Sequence, residues 1–142
     1  MTERVLVAMD GSTLGRDSLA YALDVFPNAR VVAVHVADPE LDMLPADAED
    51  VYETDLDSLD GVGDETARAV FETMRDVADE EPLDATYLVG PVEERLVEYV
   101  DDGKFDHVVM GTHGRDGLSR LLIGSVAEAV VRRTDVPTVL VK

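Results

Sequence analysis

Apolar positions along this chain follow two alternating rhythms. Short unbroken runs of aliphatic residues are separated by stretches in which apolar residues recur every three or four positions. Arg4-Val-Leu-Val-Ala-Met9 is the first run and reads as a buried strand. Asp10-Gly-Ser-Thr13 follows with turn and N-cap chemistry. Leu14 to Phe26 then places Leu19, Ala22, Leu23 and Phe26 on one helical face, closed by Pro27-Asn28. Arg30 to Ala37, rich in β-branched residues, is the second strand. A helix over Asp64 to Glu81 turns Ala67, Val70, Phe71, Met74 and Ala78 inward. Leu83 to Val89 is a third strand, ended by Gly90-Pro91, and Val92 to Asp102 a short helix on Leu96, Val97 and Val100. Phe105 to Met110 is the fourth strand. The last helix lies within Leu121 to Arg133, starting near Ile123–Ser125, and Val136 to Val141 is the fifth strand.

One stretch breaks the pattern. Residues 38–63 carry Pro39, Pro45, Gly61 and many carboxylates without a sustained period. They predict a long acidic connection holding at most a helical turn or two. The remaining order, five strands alternating with four helices, predicts a single α/β domain with a parallel sheet covered on both faces. Crossovers in such a sheet are right-handed. Ligands bind beyond the carboxyl ends of its strands, where the strand order reverses. The regions around Asp10, Val36 and Gly111 all follow or close predicted strands, so they are expected to meet at one end of the sheet.

The richest chemistry lies after the fourth strand, in Gly111-Thr-His-Gly-Arg-Asp-Gly-Leu-Ser-Arg-Leu-Leu-Ile-Gly-Ser125. Glycines let the backbone bend sharply and approach a ligand closely. Backbone N–H groups aimed into one concavity hold phosphate oxygens. Ser125, near a helix start, adds a hydroxyl and the positive end of the helix dipole. The alternative reading is a purely structural loop whose glycines serve tight turns. The Gly-Lys-Ser/Thr of a Walker loop is absent.

Composition narrows the classes. The chain has 142 residues and no cysteine, so it offers no disulfide framework and no thiolate metal site. It contains no apolar run long enough to span a membrane, and its amino terminus lacks the apolar core of a signal peptide. The expected location is therefore cytoplasmic. Asp plus Glu number 31 against 12 Lys plus Arg, a formal charge of -19. With 46% hydrophobic residues in ordered patterns, disorder is a poor explanation. A surface adapted to very high salt is a better one, because salt screens the mutual repulsion of carboxylates. The same charge argues against nucleic acid as a partner, since no basic stripe is available to neutralise phosphates.

Several segments together resemble the universal stress protein family across essentially the whole chain. They are Val7-Ala-Met-Asp-Gly-Ser12, Val34-His-Val36, Val109-Met-Gly-Thr-His-Gly-Arg115, Ile123-Gly-Ser-Val-Ala-Glu128 and Val136-Pro-Thr-Val-Leu-Val-Lys142. The resemblance implies a Rossmann-like sheet of strand order 3-2-1-4-5 and, often, a homodimer. The intact glycine motif looks like the ATP-binding branch of the family. Carried over by position, Asp10 matches the aspartate near the nucleoside and any phosphate-bound Mg²⁺. Val36 matches the residue beside adenine, and Gly111 lies by the ribose. Gly114, Gly124 and Ser125 match the phosphate loop, with Val126 beside them.

Each of these residues also has a bland reading. Asp10 can cap the first helix or brace the Gly11 turn. His35, inside a strand, is expected to be a packing residue, and His107 faces the end away from the expected site. His113, between loop glycines, is a candidate phosphate contact without an evident acid–base partner. Arg115 and Arg120 are the cations of the loop. Both are candidate phosphate contacts, with solvation or a reach to a partner subunit as the alternative, whereas Arg132 and Arg133 suit a helix carboxyl terminus. The last strand, with Pro137, fits a sheet edge; pairing Val136–Val141 with a second copy would cover it. The expected function is an ATP-binding stress or signalling module. Its rivals are a slow Mg-dependent ATPase or nucleotide hydrolase, and a nucleotide-free dimeric scaffold.

Overall fold

A computed structural model describes residues 2–113 and 123–142. Its elements in chain order are β1 (Arg4–Ala8), α1 (Thr13–Val25), β2 (Arg30–Ala37), β3 (Val51–Asp55), a 3-10 turn (Leu56–Leu59), α2 (Glu65–Ala78), β4 (Asp84–Val89), α3 (Val92–Asp102), β5 (His107–Gly111), α4 (Ser125–Arg133) and β6 (Thr138–Val141). They form one sheet of order β3-β4-β2-β1-β5-β6. The five strands expected from the sequence are all parallel to their neighbours, from β4 through β2, β1 and β5 to β6. Numbered among themselves, they run 3-2-1-4-5, so the mixed α/β, Rossmann-like fold stands.

The sheet has one more strand than expected. Val51–Asp55 lies antiparallel to β4 at the edge, with a bulge between Val51 and Thr54. The acidic connection is thus corrected to a strand followed by a helical turn. Long-range charge pairing holds the strand in place. Glu53 accepts from Arg4 at 2.6 and 3.2 Å and pairs with Arg30 at 3.0 Å, while Arg30 also reaches Asp84 at 2.8 Å. The Arg4 guanidinium holds the Glu53 carboxyl below the usual glutamate range, against the opposing effect of burial. Leu56 and Leu59, three positions apart, plug the 3-10 turn into the core.

Strand alternation divides the core into two layers. Val5, Val7, Val31 and Ala33 face α1 and α2, packed with Leu19, Val70, Phe71 and Met74. Leu6, Val32, Val34 and Val36 face the other way, with Leu96, Val100, Ala127 and Val130. The chain crosses from β4 through α3 to β5, on the far side of β1. The strand order therefore reverses between β1 and β5, and a crevice opens there at the carboxyl ends of the strands.

Candidate functional site

The crevice is a cleft of about 560 Å³. Asp10, Val36, Gly111, Gly124, Ser125 and Val126 all line it, so one end of the sheet does gather these separate segments. Gly114, Arg115 and Arg120 lie outside the described residues. His113 also lines the cleft, its Nδ1 3.3 Å from the Thr112 hydroxyl. His35 is buried and belongs to the opposite layer. Its Nδ1–H donates to the Met9 carbonyl at 3.0 Å, and its ring lies 6.3 Å from those of Phe71 and Tyr87. His107 sits at the far end of β5, 3.5 Å from Glu3 and against the Phe26 ring.

Local chemistry explains how each lining segment is held. Gly11, with φ of 90°, makes the turn after β1. Asp10 braces that turn by accepting the Ser12 N–H at 3.0 Å, and Ser12, not Asp10, caps α1 by accepting the Gly15 N–H at 3.1 Å. Gly111 closes β5 where a Cβ would come within 2.6 Å of the Leu14 side chain. Gly124 donates its N–H to the Thr112 carbonyl at 2.6 Å, and a Cβ there would sit 3.3 Å from Thr112 and His113 backbone atoms. Both glycines thus have a packing role whatever else they do.

Helix α4 begins at Gly124 without a side-chain cap. The first N–H groups of a helix have no intrahelical partner. Here they belong to Ser125, Val126 and Ala127, all of which line the cleft. The arrangement is a helix amino terminus presented to the space, a ready place for an anion. Helix α3 also starts at the cleft, from Pro91, again with no capping side chain. Its first turn carries Glu93 and Glu94, which line the cleft with Asp38.

Ser12, Asp38, Leu41 and the start of α3 were not singled out from the sequence. The first follows from the cap position. The others depend on β2 and β4 being neighbours, which brings the ends of both strands to one wall. Among the described residues, no group of three or more His, Cys, Asp or Glu is arranged to hold a metal ion, and no helix is long and apolar enough to cross a membrane.

Known proteins are similar to this chain in sequence and in fold. The chain is 29% identical over 142 residues to the universal stress protein MJ0531 of Methanocaldococcus jannaschii, covering 99% of this chain and 82% of the relative. A universal stress protein solved in complex with cAMP matches with a TM-score of 0.63 at 20% identity, over 99% of this chain and 96% of that one. A universal stress protein family protein of Arabidopsis thaliana with AMP bound matches with a TM-score of 0.64 at 15% identity, over 99% and 91%. The model of the universal stress protein family matches residues 1–142, and the chain belongs to that family.

Proposed function

We propose that this chain binds an adenine nucleotide in the cleft, ATP with Mg²⁺ foremost, and that the bound nucleotide sets its conformation or its choice of partner in a stress response. One observation carries the reading: the uncapped start of α4, at Gly124 and Ser125, shares a cleft with Asp10, Val36 and Gly111. Phosphate oxygens accept from the N–H groups of Ser125 and Val126 and from the Ser125 hydroxyl. Gly114 and Arg115 complete the phosphate loop, Asp10 stands by the nucleoside and its Mg²⁺, and Val36 packs beside the base. The AMP and cAMP bound by structural relatives support an adenine ligand.

Mass spectrometry of ligand carried through purification tests the reading directly, with an adenine nucleotide expected. Equilibrium dialysis against ATP, AMP, cAMP and GTP then ranks the nucleotides, and no binding of any of them defeats it. Gly114→Val abolishes binding and leaves the unfolding transition in place. Phosphate release with Mg²⁺ stays near background and is unchanged in Asp10→Ala; a rate that depends on Asp10 identifies an ATPase instead. The protein works as a cytoplasmic homodimer joined through the edge strand at Val136–Val141, with highest stability in molar KCl. Light scattering in high salt checks the first property, and a melting temperature that rises with KCl the second.

A further inference from the structure

The acidic connection passes the cleft on its way from β2 to β3, and both of its ends are tied down by aspartates. At the departing end, the Asp38 carboxylate accepts the Glu40 N–H at 2.8 Å and its own N–H donates to the Asp42 carboxylate at 3.0 Å. The Asp38 carbonyl accepts the N–H groups of Leu41 and Asp42 at 3.1 and 2.8 Å. This tight turn sets Leu41 against the cleft, where it lines the space while remaining 75% exposed. Leu44, three positions on, packs against the core. At the returning end, Asp50 accepts the Val89 N–H at 2.8 Å and the Tyr52 hydroxyl at 2.9 Å, and pairs with Arg95 of α3. Arg95 follows closely on Pro91 and Val92, which also line the cleft. One carboxylate therefore couples the loop bearing Leu41 to the start of α3.

The two sides of the cleft differ in chemistry. From β1, β5 and α4 come Gly111, His113, Gly124, Ser125 and Val126, with Asp10 the one carboxylate on this side, accepting the Ser12 N–H. From β2, the Asp38 turn and α3 come Val36, Leu41, Pro91, Val92 and Leu96, flanked by Asp38, Glu93 and Glu94. Phosphates are held on the first side and repelled by the carboxylates of the second. An apolar ring suits the second side, where carboxylates accept from its amino and hydroxyl groups.

We infer that residues 38–50 form a strap whose Leu41 closes over the ring of the bound nucleotide, with the Asp50–Arg95 pair as its latch. The inference rests on the nucleotide reading above. Leu41 contacts the ring and adds affinity that does not depend on the number of phosphates. Asp50 is a positioning residue, acting through Leu41.

The sequence contains no tryptophan, so Leu41→Trp places a single reporter on the strap. On titration with adenosine, AMP and ATP in molar KCl, its emission moves to the blue and acrylamide quenches it less. Leu41→Ser weakens all three ligands by the same factor, about tenfold. Asp50→Asn keeps an amide oxygen for the Val89 N–H but loses the ion pair. It weakens all three by about threefold, and combined with Leu41→Trp it leaves the emission red-shifted after ligand has bound. An unmoved Leu41→Trp spectrum with ligand bound by dialysis, or parental affinity in Leu41→Ser, overturns the strap and leaves nucleotide binding standing. If the parent binds none of the three in dialysis, the nucleotide reading falls and the strap with it.

Discussion

Helices α1 and α4 both begin at the cleft, and their first turns are completed in opposite ways. Ser12 caps α1 with its own hydroxyl, and Asp10 stiffens the turn before it. Gly124 offers α4 no side chain, and its one N–H is spent on the Thr112 carbonyl. Both helices have the same dipole sense at the cleft, yet of these two only α4 has a cap residue that makes no side-chain hydrogen bond to its first turn. The difference shows that a helix amino terminus near a crevice is not enough to make an anion site. The residue at the cap position decides whether the turn is left for a ligand to complete. The charge that the first turn presents to the cleft decides which ligand: α3 is uncapped too, but its Glu93 and Glu94 oppose an anion.

This contrast can be broken most sharply by giving α4 a cap of its own. Gly124→Asp supplies a carboxylate where phosphate is expected, and ATP affinity falls by about a hundredfold. Adenosine affinity stays within a few-fold of the parent, which separates loss of the phosphate site from damage to the cleft; isothermal titration reads both. Exchanging the two serines sharpens the same point at smaller size. Ser12→Ala lowers stability by about 1 kcal/mol in urea unfolding and leaves AMP affinity unchanged. Ser125→Ala does the reverse, with an unaltered unfolding curve and AMP affinity about fivefold weaker. Equal stability losses in the two variants contradict the distinction between the termini.

A control at the opposite end of the sheet uses Glu53. Its carboxyl is held low by Arg4, so its contribution is present above the ordinary glutamate range and is lost as pH falls through the folded-state value. Glu53→Gln therefore melts about 3 °C below the parent near neutrality. The two converge in acid, and nucleotide affinity at neutral pH is the same. The smallest effect comes from salt. Against a formal charge of -19, raising KCl from dilute to molar strengthens ATP binding about threefold and leaves adenosine binding flat.

The parts of the fold that were legible in the sequence are those with a sustained hydrophobic period. Arg30–Ala37 and Val92–Asp102 have the bounds read from the pattern alone: the first is a nearly unbroken apolar run buried on both faces of the sheet, the second a single apolar stripe of Leu96, Val97 and Val100. Strand β3 was not legible for the converse reason. It is five residues long, is bulged, and is held by Arg4, Arg30 and the register with β4, none of which is near in sequence. Its local signal was only Val51, Tyr52 and Thr54 set among carboxylates. Within the site, residues at strand ends were found because topology sends those ends to one place. Leu41 and the start of α3 were missed because their meeting depends on the β2–β4 pairing and on Asp50 reaching Arg95.

Strand β3 has a further consequence for how copies of this protein can join. It finishes one side of the sheet with a short, bulged, antiparallel strand carrying Glu53 and Asp55, a poor template for another chain. The other side ends in the parallel, apolar β6. A sheet with two open sides can add copies without limit, as a fibre does. This one has a single side suited to growth, so the dimer proposed above, in pairing β6 with its own image, would use up the available edge, and assembly through the sheet would stop at two.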